Sequence, residues 1–327
     1  MSHFIVSFFL FFLFILFLKI TRKNINLDNR FKVVKLGNDV EKYINLSEAQ
    51  NKNILPWAKK RIFWNNNKLK IKTNIAIIYI HGFSASMGEI RPVPDILAKN
   101  LKANLYFTRL SGHGLNDKAS LKNVDGRDWY CDIQEAFEIG YKIGDKILVV
   151  ATSFGCTLVS EYLSKTDKKT HILGNIFISP CFGISDWRLL LGRYTWSKSL
   201  FQLVLGEQRV IGNRNPEEKK WWCNTYPIEA ILNLVLCVEK IWKSDFTKIT
   251  SPGLFIYSPK DKWISISRLK KVSKKWGGDI SLVSLDVNSK VDNGNFHVIL
   301  GDIKASNETK LGLEIINSWL NNLVKSR

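Results

Sequence analysis

Three residue types that together can carry out nucleophilic chemistry occur in this sequence in the order serine, aspartate, histidine. Ser153 follows the apolar, β-branched run 146–150 after two small residues and precedes a helical pattern. A strand, a tight turn and a helix with serine at the apex form a nucleophile elbow. Residues two positions to either side must be small, and here they are Ala151 and Gly155, where the usual pattern has two glycines. Alternatively, Ser153 only caps the helix N-terminus.

A serine hydroxyl needs a base to remove its proton, and the base needs a third group to orient it. His297 is the only histidine after Asp261, and it lies between a Gly/Asn/Asp-rich loop and the closing helical pattern. Asp261 follows the strand pattern 253–257, so it is the predicted acid and His297 the predicted base. Other carboxylates compete with Asp261 as the acid: Asp245, Asp286 and Asp292.

A tetrahedral intermediate at Ser153 would need backbone N–H groups directed at its oxyanion. Phe154 follows the serine at the helix N-terminus and is one predicted donor. Phe83 follows the strand pattern 75–80 and is the other. His81, and likewise His113, is predicted to be a structural hydrogen-bonding residue.

The elements that must position these residues alternate between strand and helix. Buried strand patterns recur along the chain, at 75–80, 105–107, 146–150, 174–179, 253–257 and 280–285. Helical patterns lie between them, and an amphipathic helix is predicted at 311–323. This alternation predicts an α/β fold with a doubly wound, mostly parallel sheet, and ligand sites at the carboxyl ends of its strands. We expect this domain to span 74–327.

The strand–helix alternation stops between about 181 and 248. This stretch is rich in tryptophan and carries the apolar runs 189–191 and 228–236. We predict a helical cap over the carboxyl edge of the sheet; the alternative is a pair of packed helices whose tryptophans are core residues.

Charge and cysteine content exclude some classes of function. The net charge of +19 favours anionic partners, but the basic residues are scattered along the chain and form no zinc spacing, RNA-binding signature or basic helix. Nucleic-acid binding is therefore not expected, whereas contact with anionic lipid headgroups is. Five widely spaced cysteines fit neither a disulfide framework nor a metal site, and we expect no metal and no cofactor.

The N-terminus begins with a short hydrophobic segment. Residues 4–18 are apolar apart from Ser7, and the basic residues Lys19, Arg22, Lys23 and Arg30 all follow them. We predict a membrane anchor over 1–23 with the following domain facing the cytoplasm; the rival interpretation is an export signal. Residues 24–73 read as a stalk and leading segment, with an edge strand at 32–36 and with Trp57 and Trp64 packed on the main domain.

Five motifs in this order resemble the α/β-hydrolase superfamily, especially its serine aminopeptidase, monoacylglycerol lipase and carboxylesterase-like branch. They comprise 81–83, Arg109-Leu110-Ser111-Gly112-His113-Gly114, 151–155, the Lys260-Asp261 loop and 295–297. The resemblance covers about 74–325 and implies a helical cap, metal-independent hydrolysis and an acyl-enzyme. It maps the nucleophile to Ser153, the acid to Asp261, the base to His297, and the oxyanion donors to Phe83 and Phe154. Ala151 and Ser111 depart from the family pattern, which often has glycine and proline there.

The sequence therefore predicts a serine hydrolase that cleaves a lipid-like ester of a hydrophobic acyl chain. Acyl transfer to an alcohol on the same residues is an alternative, as is a non-catalytic binding protein that keeps the fold. The predicted partners are a small hydrophobic ester and a membrane.

Overall fold

A computed structural model describes residues 2–23, 35–116, 119–211 and 216–325 of the protein. The described strands are β1 (Arg61–Phe63), β2 (Thr73–Ile80), β3 (Asn104–Phe107), β4 (Gly144–Thr152), β5 (Ile172–Ile178), β6 (Gln208–Val210), β7 (Thr225–Pro227), β8 (Gly253–Tyr257) and β9 (Ile280–Ser284). The described α-helices are α1 (Ser2–Ile20), α2 (Val40–Ala49), α3 (Val93–Leu101), α4 (Gly126–Ile143), α5 (Phe154–Lys165), α6 (Ser197–Leu205), α7 (Pro216–Trp221), α8 (Ile228–Lys240), α9 (Ile266–Lys275) and α10 (Ser306–Lys325).

Seven of these strands form one sheet in the order β1-β3-β2-β4-β5-β8-β9. All neighbours in it are parallel except β1, which runs antiparallel to β3 at the edge. The carboxyl ends of β2, β4 and β8 therefore meet at one edge of the sheet, where ligand sites form in such folds. The predicted doubly wound, mostly parallel sheet is confirmed.

Helices cover both faces of this sheet, which explains why its strands are apolar without alternation. Successive side chains of a strand point to opposite faces. Ile78 of β2 accordingly belongs to the same buried cluster as Trp129 of α4. Its neighbour Ile77 belongs to the cluster on the other face, together with Ile316 of α10.

The segment before β2 contains structure that the sequence did not reveal. α2 is joined to the domain by the buried ion pair of Glu48 with Arg109, whose Oε1 and Nη2 are 2.7 Å apart. Trp57 Nε1 donates to the carbonyl of Lys220, and Trp64 Nε1 donates to a helix-α2 carboxylate. Trp64 also packs against the buried cluster of the main domain, as predicted, whereas Trp57 is 38% exposed and contacts the capping segment. The edge strand predicted at 32–36 lies largely outside the described residues, and the observed edge strand is β1.

Between β5 and β8 the chain forms a capping segment. Its described parts are a 3₁₀ stretch at Trp187–Arg193, the helices α6, α7 and α8, and the antiparallel pair β6–β7. Its tryptophans divide between the two predicted roles. Trp222 is buried in the core, whereas 70% of Trp187 is exposed.

The hydrophobic N-terminal segment forms α1, whose end is joined to the capping segment. Thr195 N donates to the carbonyl of Thr21, and Lys23 N donates to that of Arg193. Across the described residues, no helix combines the length and the apolar character needed to cross a bilayer, so the predicted spanning anchor is not supported.

Candidate active site

Ser153 occupies a strained turn between β4 and α5. Its φ of 51° and ψ of −116° lie in a region that residues with a side chain rarely adopt. A Cβ on Gly155 would lie 2.6 Å from the carbonyl oxygen of Ile80, so only glycine fits at this position. Ala151, at the other small position, is fully buried in β4 and paired with its neighbours in the sheet. The elbow geometry is therefore present despite this departure from the glycine pattern.

The structure brings Ser153, His297 and Asp261 into one hydrogen-bonded chain. His297 Nε2 lies 2.8 Å from Ser153 Oγ, and its Nδ1 lies 2.7 Å from Asp261 Oδ2. The other carboxylate oxygen of Asp261 accepts from the backbone N–H groups of Trp263 (2.8 Å) and Ile264 (3.2 Å). The carboxylate is thus fixed, and the arrangement is that of a nucleophile, a base and an orienting acid.

The competing carboxylates have other partners. Asp286 pairs with Lys260 at the surface, and Asp245 caps a 3₁₀ turn by accepting from Thr247. Asp292 binds Lys304 and accepts from the N–H of Val298. None of the three is within hydrogen-bonding distance of His297 in the described part of the chain, whereas Asp261 is.

Electrostatics favour the base and orienter assignments. Burial by itself would lower the pKa of His297, but the adjacent Asp261 carboxylate more than offsets this, and the pKa of His297 is raised. Because Asp261 accepts the Nδ1 proton, Nε2 of the neutral ring is left to accept a proton from Ser153. An imidazolium at this position would be stabilised by the same carboxylate.

The two predicted oxyanion donors belong to segments next to Ser153: Phe154 follows it in the chain, and Gly82, the residue before Phe83, lies close to its Cβ. Phe154 is the first residue of α5, where N–H groups have no partner within the helix. On the other side, the Gly82 carbonyl accepts from His81 Nδ1 (2.9 Å) and from Ala85 N (3.3 Å). Because a trans peptide is planar, fixing this carbonyl also fixes the N–H of Phe83 on the opposite side of the same peptide.

The two buried histidines hold loops together. His81 Nε2 accepts from the N–H of Leu110, so the ring bridges the loops after β2 and β3. His113 lies 5.0 Å from His81, measured between ring centroids. Burial lowers the pKa of His81 to about 4, and burial likewise lowers the pKa of His113 well below the usual histidine value, so both rings are neutral at physiological pH.

The capping segment lies directly on the loop that carries Phe83. Cys223 N donates to the carbonyl of Ser84, and Ser86 Oγ donates to the carbonyl of Trp221. The ring of Tyr226 meets that of Phe83 edge-on at 5.4 Å. The side chains next to the candidate oxyanion site are therefore aromatic and come from both the sheet and the capping segment.

One buried carboxylate beside the site was not singled out from the sequence. Glu89 lies in the loop between β2 and α3 and accepts hydrogen bonds from Gly82 N and from the Tyr79 hydroxyl. The available signal was a lone acidic residue inside an otherwise apolar and small-residue loop. Among the residues that the structure describes, no group of His, Cys, Asp and Glu side chains could hold a metal ion.

Comparison with known proteins identifies the fold. No family model and no curated protein matches the sequence. Among solved structures, a metagenome-derived lipolytic enzyme from the LipS and LipT study aligns with a TM-score of 0.63 at 18% identity, over 82% of this chain and 99% of that one. The chain has the α/β-hydrolase fold.

Two further matches share this α/β-hydrolase architecture. The monoacylglycerol lipase of Paleococcus ferrophilus aligns with a TM-score of 0.58 at 15% identity, over 81% of this chain and 98% of that one. The monoglyceride lipase of Saccharomyces cerevisiae aligns with a TM-score of 0.58 at 12% identity, over 81% of this chain and 91% of that one. The predicted superfamily resemblance is thus confirmed at the level of the fold.

Proposed function

We propose that this chain is a serine hydrolase that cleaves a carboxylic ester of a hydrophobic acyl chain. The single observation that carries the proposal is the hydrogen-bonded set of Ser153, His297 and Asp261, with the serine in a strained elbow. The fold is shared with lipolytic enzymes and monoacylglycerol lipases, which supports an ester substrate.

The reaction follows from the geometry. His297 Nε2 takes the proton of Ser153 Oγ as the oxygen attacks the ester carbonyl, and Asp261 stabilises the imidazolium. The resulting oxyanion is bound by the N–H groups of Phe83 and Phe154. His297 then protonates the departing alcohol, leaving an acyl group on Ser153. Water, deprotonated by His297, attacks the acyl-enzyme and releases the acid.

The first experiment is labelling with a fluorophosphonate probe, which reacts with activated serines. We expect the wild-type protein to be labelled, and Ser153→Ala and His297→Ala not to be. Folding of each variant is checked by circular dichroism, and Ser160→Ala, a change of a buried serine on α5, is the matched control that keeps its labelling. Absence of labelling in folded wild-type protein would refute the hydrolase mechanism and favour a non-catalytic binding role.

The acyl preference is tested with p-nitrophenyl esters of increasing chain length. Each methylene buried against apolar side chains is worth about 0.8 kcal/mol, or about a fourfold gain in kcat/KM. We expect kcat/KM to rise from acetate towards medium chains. A profile in which acetate is preferred would refute the hydrophobic substrate. Adding an alcohol and analysing the products separates hydrolysis from acyl transfer.

We also propose that the protein associates with a lipid surface through one apolar face. On α6, Leu203 is 85% exposed and Val204 is 68% exposed. This helix directly follows Trp196, which stacks on Phe17 of α1 at 6.5 Å. Helix α1 adds further exposed phenylalanine and leucine side chains over 9–17. The end of α1 therefore lies next to the start of α6, and both helices expose apolar side chains.

The charges beside this face favour anionic lipid. Four basic residues lie on these helices or directly after α1: Lys19 on α1, Arg22 and Lys23 after it, and Lys198 on α6. Basic residues near a membrane surface are attracted by the anionic lipids of the cytoplasmic leaflet. We therefore propose that the protein lies on the cytoplasmic face of a membrane. Protease protection of a C-terminal epitope in intact cells tests this orientation, and digestion of the epitope without permeabilisation would refute it.

Vesicle sedimentation tests the surface itself. We expect the protein to bind vesicles of phosphatidylcholine with 30% phosphatidylglycerol more tightly than pure phosphatidylcholine. Leu203→Glu should reduce this binding, because it places a carboxylate in the apolar face. Leu311→Glu changes an exposed leucine on α10 and should bind like the wild type. Equal binding by all three proteins would contradict the proposed surface.

A further inference from the structure

A buried carboxylate lies behind the loop that carries one of the two oxyanion donors. Glu89 is 2% exposed and forms no ion pair among the described residues, and the charge of a protonated His297 would only partly offset the effect of its burial on its pKa. Burial raises the pKa of its carboxyl group to about 7. A carboxylate held without a cation is costly to bury, so its hydrogen bonds are the feature that needs an explanation.

The two groups that donate hydrogen bonds to Glu89 both lie next to residues of the candidate active site. Its Oε2 accepts from the N–H of Gly82 at 2.7 Å and from the hydroxyl of Tyr79 at 2.8 Å. That hydroxyl lies 3.3 Å from Oγ1 of Thr152, the residue directly before Ser153. The carboxylate therefore links the loop after β2 to the strand end that presents the serine.

Packing leaves little freedom around this link. A Cβ added to Gly82 would lie 2.7 Å from Glu89 Oε1 and 3.3 Å from the Cβ of Ser153. The backbone of Gly82 is thus held between the carboxylate and the serine. A shift of the carboxylate would be transmitted directly to the peptide next to Phe83.

Two successive peptides of this loop are each held by one side chain. Glu89 accepts the N–H of the His81–Gly82 peptide, and His81 Nδ1 donates to the carbonyl of the Gly82–Phe83 peptide. Since each peptide is planar, these two bonds leave the N–H of Phe83 a single direction. Loss of the Glu89 bond frees the first peptide to rotate and, with it, the second.

We propose that Glu89 is a positioning residue that holds the N–H of Phe83 in the direction required to bind the oxyanion. This inference rests on the proposed ester hydrolysis at Ser153. Glu89 does not touch the reacting atoms; it acts through the backbone of Gly82. Its effect belongs to the transition state, because the oxyanion exists only after Ser153 attacks.

The test replaces the acceptor while keeping the volume. Glu89→Met fills the same space without an oxygen, and Glu89→Gln keeps an oxygen that can accept both hydrogen bonds. Removing one oxyanion donor costs about 100- to 1000-fold in kcat, and misdirecting it costs less. We expect Glu89→Met to lower kcat about 10- to 100-fold and to leave KM within about threefold of the wild-type value. Glu89→Gln should keep kcat within about threefold of the wild-type value.

A matched control separates this role from loss of a buried carboxylate in general. Glu135 is also buried, and it binds Lys60 and the Tyr43 hydroxyl rather than the oxyanion loop. Glu135→Met should lower the melting temperature but leave kcat of the folded protein unchanged. If Glu89→Met does not fold, Glu89→Leu carries the same test with a shorter side chain.

The results that would refute the positioning role of Glu89 differ from those that would refute the proposed ester hydrolysis. If kcat of folded Glu89→Met equals that of wild type, or if Glu89→Gln loses as much activity as Glu89→Met, the positioning role is wrong. A rise in KM at constant kcat would also overturn it. If instead Ser153→Ala retains full ester hydrolysis, the proposed function fails whatever the Glu89 variants show.

Discussion

The orienting role of Asp261 is tested most sharply by the change Asp261→Asn. One carboxylate oxygen of Asp261 accepts from two backbone N–H groups, those of Trp263 and Ile264. In the variant, the amide oxygen must take this position, because an NH₂ group there would face two donors. The NH₂ group is then directed at His297 Nδ1, 2.7 Å away in the native structure.

This orientation reverses the hydrogen bond and the tautomer. The asparagine donates to Nδ1, so the neutral ring carries its proton on Nε2, and Nε2 can no longer accept the proton of Ser153. The same exchange in a serine protease lowers kcat by about 10⁴, equivalent to about 5.4 kcal/mol. We expect a loss of this order at neutral pH, measured as kcat on a short-chain ester.

The pH profile gives a second readout with a defined sign. Burial lowers the pKa of His297, and Asp261 is the largest of the carboxylates that raise it above the usual value. The wild-type enzyme needs neutral His297, so kcat/KM should rise with pH through a pKa above the usual histidine value. Asp261→Asn removes the charge, and the acid limb of the residual activity should move to lower pH.

The control for Asp261→Asn is the same change at another strand-end carboxylate. Asp286→Asn changes a strand-end carboxylate that pairs with Lys260 at the surface, and it should leave kcat and the pH profile unchanged. If Asp261→Asn stays within tenfold of wild type at neutral pH, Asp261 is not the orienting acid. If Asp286→Asn is the variant that loses activity, the acid is Asp286.

Two further predictions concern the elbow and the junction with α2. Gly155→Ala should lose activity and destabilise the fold, because the added methyl group would lie 2.6 Å from a backbone oxygen of β2. Ala151→Gly, by contrast, should retain activity. Thermal unfolding measures the stability of both variants, and ester hydrolysis measures their activity. Arg109→Met should lower the free energy of unfolding by about 3–5 kcal/mol in urea titrations, because it leaves Glu48 buried and unpaired. Replacing both partners, with Glu48→Leu added, should recover most of that loss; no recovery would contradict the explanation.

The sequence was sufficient for those parts of the fold that are encoded locally. Buried parallel strands are continuous apolar runs, and the elbow adds small residues at fixed spacing, so β2, β4 and β8 could be recognised without a structure. Once their order was known, Asp261 and His297 followed as the carboxylate and histidine after the corresponding elements. The structure brings both to Ser153.

The features that could not be predicted from the sequence depend on how segments of the chain meet in the folded protein. β1 is a three-residue edge strand that pairs with β3, and such a short strand has no pattern of its own. The partner of Glu48 is 61 residues away, and neither residue indicates the other in the sequence. Glu89 is only seven residues from Gly82, but its role depends on how the loop turns back on β2, which residue types alone do not specify.

Ser111 departs from the sequence pattern described above, and its polar groups find a partner on helix α4. In the α/β-hydrolase branch that the sequence resembles, this position is often proline, which has no N–H to donate. Here Ser111 donates its N–H to Asp132 Oδ2 at 2.5 Å and its hydroxyl to Oδ1 at 3.1 Å. Asp132 on α4 is buried, so these two bonds satisfy a carboxylate that would otherwise be costly.

Ser111→Pro should therefore destabilise this protein, although it restores the residue of the pattern that the sequence resembles. Losing the two bonds leaves Asp132 unsatisfied, at a cost of about 1–3 kcal/mol or more for a charged acceptor. Ser111→Ala removes only the hydroxyl and should cost less. Urea unfolding measures both; equal stability of Ser111→Pro and wild type would show that the two bonds contribute nothing.

The pH dependence of this effect has a definite direction. Burial raises the pKa of Asp132 to about 6 in the folded protein, above its unfolded value. A carboxyl group with a raised pKa stabilises the fold most when protonated, so its contribution is lost as the pH rises from about 4 to about 6. In Ser111→Pro the charged carboxylate has fewer donors, so the pKa should rise further. The stability difference between variant and wild type should then be smaller at pH 4 than at pH 7, and a difference that is constant with pH would place its cause in the backbone rather than in Asp132.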